Sequence, residues 1–154
     1  MQADPEHELE RFVTAQEGVW EVALRELRAG QKRTHWMWFI FPQLAGLGFS
    51  EMAVRYAIRS RHEAERYLGH AVLGPRLLTC AQALLPHKRR SAREVMGSPD
   101  DLKLRSSMTL FAAVSSPGSV FQEVLDCYYS GQPDPRTLQL LRQQEAGWNV
   151  VWRP

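Results

Sequence analysis

Hydrophobic residues recur at three- and four-residue spacing along most of the chain, which is the period of an amphipathic helix. The first such stripe runs from Leu9 to Leu27 and ends near Gly30, a residue type that suits a helix C-cap. Only residues 35–41 are ambiguous between helix and strand. The pattern therefore predicts an all-α fold, a compact single-domain bundle of about seven or eight helices.

Helix starts are marked by side chains that accept hydrogen bonds from the first free amides of a helix. Five candidates precede predicted helices: Ser50, Ser60, Ser91, Ser98 and Asp134. The second and third stand three residues before a glutamate, which is the spacing of a capping box. The last two precede a proline, which suits the first helical position. The helix after Ser50 is expected to run to about residue 59.

Residues 99–114 form the most unusual of the predicted helices, because their apolar side chains surround the whole helix. A helix that is apolar on every side is typically buried, so we expect this one to lie at the centre of the fold. It also carries Lys103, and a buried cation costs several kcal/mol unless it is paired. Two kinds of partner are considered for Lys103: Asp100 or Asp101, in an internal ion pair, or a bound anion.

Composition is that of an ordinary globular protein, with 154 residues of which 44% are hydrophobic and 23% charged. No internal repeat or linker divides the chain, so we interpret residues 1–154 as one domain with looser ends at 1–7 and 147–154. The longest uncharged apolar run, residues 36–41, is too short to cross a membrane.

The first ten residues are acidic at positions 4, 6, 8 and 10, unlike a signal peptide. The two cysteines, Cys80 and Cys127, fall in step with hydrophobic residues and are not clustered with other metal ligands. We therefore expect reduced, packed thiols in a cytoplasmic protein that has no metal site and no cofactor.

A second unusual segment combines aromatic and polar residues. His35 opens an apolar run, Trp36 and Trp38 lie two positions apart, and Gln43 closes the run. If Thr34 caps a short helix, His35 lies at the positive end of that helix, which favours a neutral ring. The histidine and the tryptophans can be core residues. Alternatively, they form a wall on which a base or a sugar stacks.

These two segments also carry a family resemblance. Residues 34–48, THWMWFIFPQLAGLG, and residues 100–111, DDLKLRSSMTLF, resemble the two signatures of a bacterial family catalogued as domain of unknown function 1810. Members of this family are sometimes mislabelled calpastatin. The resemblance extends from about residue 9 to 141 and departs at Ala71, where the family commonly has a proline. It implies a mainly helical fold and brings no established activity, cofactor or catalytic residue.

Three classes of function follow from these residues. The first is binding of a small anionic or nucleotide-like ligand, or catalysis on it; its candidate residues are His35, Trp36, Trp38, Gln43, Lys103, Arg105 and Ser106. The second is a protein-interaction module without enzymatic activity. The third, nucleic-acid binding through residues 88–93, is least favoured because the net charge is only +2. No nucleophile or phosphate-loop motif is present, so the sequence assigns no catalytic residue.

Overall fold

The computed structural model describes residues 5–151, and the side chains of residues 8–145 within that range. Its α-helices are α1 Pro5–Gln16, α2 Trp20–Ala29, α3 Met37–Ile40, α4 Glu51–Arg55, α5 Arg61–Gly69, α6 Leu73–Leu84, α7 Ala92–Met96, α8 Asp100–Ala113, α9 Val120–Tyr129 and α10 Pro135–Val151, with a 3-10 turn at Leu85–His87. Among the described residues, the only β pairing is an isolated bridge between Leu44 and Ile58. The all-α prediction is confirmed. The ends expected to be looser lie outside the residues with described side chains.

The first hydrophobic stripe forms two helices rather than the single helix that its spacing predicts. The chain breaks after α1 at Gly18, whose φ of 71° lies in the left-handed region. Helix α2 then ends at Gly30, which has φ 74° and donates its amide to Glu26 O and Leu27 O. The C-cap prediction was correct, and the missed break reflects one glycine inside a continuous apolar pattern.

Four of the five predicted caps act through the same bond, and three of these four are serines. Ser50, Ser60 and Ser91 each accept a hydrogen bond from the amide three residues later. Ser91 and Glu94 form a complete capping box, whereas the Glu63 carboxylate turns to the Arg59 amide instead of the Ser60 amide.

The other two predicted caps differ in outcome. Asp134 caps α10 through the Thr137 amide at 2.9 Å, as predicted. The Ser98 prediction was wrong, because Pro99 is itself the N-cap of α8 and no side chain caps that helix. A proline carries no side-chain acceptor, and the Asp101 amide in the first turn of α8 instead donates to the backbone oxygen of Gly97 at 2.9 Å.

Helix α4 ends four residues earlier than expected. Beyond Arg55 the backbone turns away to pair with the segment after α3, since Ile58 N donates to Gln43 O at 2.8 Å and Ala45 N donates to Ile58 O at 2.8 Å. A partner distant in sequence therefore ends the helix, which local periodicity does not reveal.

The start of α6 is held by a side chain that the sequence analysis did not single out. His70 Nδ1 accepts hydrogen bonds from the amides of Val72 at 3.1 Å and Leu73 at 3.2 Å. These bonds need a neutral ring whose Nδ1 carries no proton. They fix the turn at Ala71, where a proline commonly stands in the family that the sequence resembles.

Helix α8 is the central helix of the fold, as predicted. It packs against α5, α7, α9 and α10. Met108 and Leu110 are fully buried, and the Phe111 ring lies 5.4 Å from that of Tyr67 and 5.7 Å from that of Phe121. Its first turns differ from the expected full burial, since Leu102 is 59% exposed. The described helices include none that is long and apolar enough to cross a membrane.

Replacing Met108 by aspartate should lower the free energy of unfolding by about 4 kcal/mol or more, because an unpaired carboxylate would replace a fully buried side chain. Leu102→Asp is the matched control on the same helix, and its exposed position should limit the loss to about 0.5 kcal/mol. Urea unfolding followed by circular dichroism measures both. Equal losses in the two variants would contradict the assignment of a buried and an open part of α8.

Candidate functional site

One buried carboxylate, that of Glu26 on α2, holds the loop that leads to α3. Its Oε1 accepts hydrogen bonds from Arg33 N at 2.8 Å, Thr34 N at 3.0 Å and Trp36 Nε1 at 2.9 Å. Its Oε2 accepts one from Thr34 Oγ1 at 2.6 Å. Burial raises the pKa of Glu26, but these four bonds, led by that of the Thr34 hydroxyl, outweigh it and lower the pKa to about 2.

The sequence analysis did not identify Glu26, although a signal was present. Glu26 lies beside Leu27 and three residues after Ala23, on the apolar stripe of α2, where it is 9% exposed. A charged residue on a buried stripe needs several hydrogen-bond donors. Those donors come from an irregular loop, which periodicity does not place.

The expected wall of histidine and tryptophan is not brought together. Trp36 is completely buried, and its indole nitrogen is bonded to Glu26. His35 is exposed and makes no hydrogen bond or ion pair with the residues whose side chains are described. Thr34 does not cap α3, since Trp36 is the N-cap and the Thr34 hydroxyl donates to Glu26. Trp38 is half-buried.

An open groove lies between the loop before α4, the first turns of α8 and the start of α10. Its volume is about 390 Å³, within the range of small-molecule sites. Three of the candidate residues line it, namely Gln43, Lys103 and Ser106. Phe49, Leu102 and Arg136 line it as well, and we call this site the Lys103 groove.

One wall of the Lys103 groove is a loop that folds back closely on α4. Gly46 has φ 101°, a conformation that side chains disfavour. At Gly48 a Cβ atom would lie 2.7 Å from the Cβ of Ala53, so only glycine fits there. The loop then continues to Phe49, whose side chain is 86% exposed at the groove.

The charge of Lys103 is only loosely matched inside the protein. Its Nζ lies 3.7 Å from Asp100 Oδ1 and 5.7 Å from the centre of the Trp38 ring. The closer partner of Asp100 is Lys32, whose Nζ lies 2.9 Å from Oδ2. The side chain of Lys32 is 6% exposed, whereas that of Lys103 is 29% exposed. Of the two alternatives for Lys103, the internal ion pair with Asp100 is present, but the closer and more buried partner of Asp100 is Lys32.

Arg105 and Ser106 connect α8 to the loop before α10. Arg105 donates to the carbonyls of Gln132 and Pro133, both at 3.0 Å, and does not line the groove. Ser106 Oγ lies within hydrogen-bond distance of Leu102 O at 3.2 Å and Asp134 Oδ2 at 3.3 Å. Of these two candidates, only Ser106 presents an atom near the groove.

The basic run at residues 88–93 follows the 3-10 turn on another face. Arg90 Nη1 donates to Gly30 O at 2.9 Å, which ties this loop to the end of α2. A Cβ at Gly30 would lie 2.8 Å from His87 Nδ1, so the His87 ring would have to shift to accept a side chain there. Nucleic-acid binding here stays the least favoured hypothesis.

The lining of the Lys103 groove combines several kinds of chemical group. It offers cationic side chains, hydrogen-bonding groups and apolar surface. Cys80 is buried outside it, and burial raises the pKa of its thiol to about 12, so the thiol is protonated at neutral pH and is a poor nucleophile. No group of three or more metal-ligating side chains occurs among the described residues.

Comparison with known proteins places the sequence signatures in context. Residues 6–141 match the family described as "Protein of unknown function (DUF1810)". No curated protein matches the chain. Among solved structures, the chain is similar to the conserved hypothetical protein Rv1873 from Mycobacterium tuberculosis, with 52% sequence identity and a TM-score of 0.85. The match covers 88% of this chain and 96% of the other.

The low pKa of Glu26 predicts how the stability of the fold depends on pH. A carboxylate with a folded pKa of about 2 and an ordinary value of 4.5 contributes about 3 kcal/mol above pH 4.5. This contribution is lost as the pH falls from 4.5 towards 2. Glu26→Gln should therefore lower the free energy of unfolding at pH 7 by about 3 kcal/mol and flatten its decline in acid.

Urea unfolding at pH 7, 4 and 3 tests this expectation. Glu21→Gln, an exposed position on the same helix, is the control and should keep the parent's dependence on pH. A Glu26→Gln variant that loses stability in acid as steeply as the parent would show that another group causes the decline.

Proposed function

The chain belongs to the DUF1810 family. From the residues that line the Lys103 groove, we propose that the protein binds a small anionic ligand. The observation that carries the proposal is the pairing of Asp100. Because buried Lys32 lies 2.9 Å from that carboxylate, the charge of Lys103 at 3.7 Å is left mainly unmatched at the groove. An anion that enters the groove supplies the missing partner.

A second cation supports the same proposal. Arg136 lines the groove, and it makes no ion pair with the acidic residues whose side chains are described. Its one side-chain hydrogen bond among those residues goes to Gln139 Oε1 at 3.0 Å. Gln43 and Ser106 add an amide and a hydroxyl to the lining. Together these groups match a ligand with a negative end and further polar atoms.

The proposal narrows the set of candidate residues. Gln43, Lys103 and Ser106 contact the ligand, and Trp38 stands behind Lys103. Any planar part of the ligand would lie against Phe49, since Trp36 is buried in the core. His35 and Arg105 are outside the proposed site.

A second candidate function, a protein-interaction module, has one observation in its favour. Val54 is 63% exposed and lies outside the Lys103 groove, on a different face of α4 from the groove residue Ala53. A partner that covers Val54 would need a larger surface than a small ligand does. A Val54→Ser variant that binds a small anion as tightly as the parent would distinguish this function from the first.

Lys103→Met should leave the fold intact and remove anion binding. The methionine keeps the apolar stem, and Asp100 keeps Lys32, so we expect a loss in unfolding free energy of less than about 1 kcal/mol. Lys32→Met is the matched control, because it removes the closer and more buried partner of Asp100; it should cost about 2 kcal/mol, since the Asp100 side chain is 21% exposed and Lys103 remains 3.7 Å away. Thermal unfolding of both variants measures the difference.

The ligand arm uses thermal-shift titration of the parent with inorganic phosphate, AMP and short-chain and aryl carboxylates. A ligand that binds only the folded state raises the melting temperature. At least one of these anions should raise the melting temperature of the parent and leave the melting temperature of Lys103→Met unchanged. Equal shifts in both proteins, or no shift with any anion, would contradict the proposal.

A further inference from the structure

The lining of the Lys103 groove also points to the chemical class of its ligand. Resting on the function proposed above, we infer that the ligand is a small organic acid with a single negative charge at one end and an apolar, preferably aromatic, body. Three features carry this inference: the charge balance of the groove, its exposed apolar side chains and its size.

The charge balance favours one negative charge. Two cations, Lys103 and Arg136, and one anion, Asp134, line the groove, which leaves a net charge of +1. Asp100 lies only 3.7 Å behind Lys103 and weakens the positive potential further. A ligand with several phosphate charges would place uncompensated negative charge near two carboxylates, which is unfavourable. A monoanion is matched.

The exposed apolar side chains provide a place for the body of the ligand. Phe49 and Leu102 are 86% and 59% exposed, and both line the same groove. A ligand that covers these large apolar side chains removes them from water, which favours binding. An aromatic ring can also stack on Phe49 with the offset geometry that ring pairs prefer.

The order of residues along α8 brings the two parts together. Leu102 precedes Lys103 directly, and Ser106 lies one turn after Leu102 on the same side of the helix. The apolar contact, the cation and the hydroxyl are therefore neighbours. A ligand that uses all three has its acid group only a few carbon atoms from its apolar body.

The size of the groove favours a free acid over a peptide. Its volume of about 390 Å³ is near the lower end of the range for small-molecule sites. The carboxyl terminus of a peptide ending in phenylalanine has the same chemistry, but the preceding residues would extend beyond the groove. We therefore assign the groove to a free arylalkyl or acyl carboxylate.

The test compares named probes by isothermal titration calorimetry on the whole chain. 3-Phenylpropionate should bind at least about ten-fold more tightly than acetate, which lacks the apolar body, and than ATP, which carries excess charge. Lys103→Met should abolish its binding. Phe49→Ser and Leu102→Ser should each weaken it by about five-fold or more.

Val54→Ser provides the matched control, since Val54 is 63% exposed, close to the 59% of Leu102, but lies outside the groove. Its affinity for 3-phenylpropionate should equal that of the parent. An equal loss in Val54→Ser and Phe49→Ser would overturn the assignment, because the acid would then not be confined to the groove.

The outcomes separate this inference from the proposal on which it rests. Tighter binding of AMP or ATP, lost in Lys103→Met, would overturn the ligand class and keep the anion site. No binding of any anion would overturn both. A peptide ending in phenylalanine could instead bind more than about ten-fold tighter than 3-phenylpropionate and lose this affinity when its C-terminus is amidated. That result would change the assigned ligand from a free acid to a peptide terminus.

Discussion

The structure depends on the hydrogen bonds that the Glu26 carboxylate makes to the loop before α3. Through Thr34 and Trp36 these bonds fix the path of the chain beside the first turn of α8. Lys32, just before that loop, then donates to Thr34 O at 2.6 Å and pairs with Asp100. The position of one buried carboxylate on α2 thus determines which lysine neutralises Asp100, and so how much charge Lys103 has left for the groove.

The same device recurs elsewhere between α2 and α5, where the chain is mostly irregular. Gln16, which is 1% exposed, donates to Phe39 O at 2.7 Å, and Arg11 donates to Ala57 O at 2.8 Å. Backbone groups in irregular segments lack the partners that a helix or sheet provides, and a buried one needs a substitute. Here, buried or half-buried polar side chains on the regular helices α1 and α2 supply those partners. The helices carry the core, and their polar exceptions hold the segment that forms one wall of the groove.

The sequence predicted those parts of the fold that depend on neighbours along the chain. The caps at Ser60, Ser91 and Gly30 and the buried helix α8 follow from residues within one or two turns. Two boundaries were missed, at Gly18 and after Arg55, because a glycine conformation and a distant backbone pair set them. The family was identified from its signatures, since these are contiguous segments.

The candidate site was predicted only in part, and for a related physical reason. A cation on a helix whose apolar side chains lie on every side marked Lys103 as a residue that needs a partner. Its competitor for Asp100, Lys32, is distant in sequence, so the two lysines could not be ranked before the fold was known. Trp36 was a candidate for stacking because a tryptophan suits either a ligand-stacking wall or the core. Only the position of the Glu26 acceptor assigns it to the core. Phe49 and Arg136 were missed because the loop before α4 and the start of α10 meet only in the folded chain.

The Glu26 network has a consequence for how this protein can evolve. Its four donors come from only three residues, Arg33, Thr34 and Trp36, and two of the four are side-chain groups. Replacing Glu26 leaves several donors without an acceptor at once. Replacing Thr34 or Trp36 alone removes only one of the hydrogen bonds made by side chains to Glu26. The effects of such substitutions are therefore not additive, and an acceptable change at one position depends on which residues occupy the others. Drift at Glu26, Thr34 and Trp36 therefore proceeds through coordinated replacements, and these three form one epistatic unit; Arg33 contributes only its backbone amide and lies outside it.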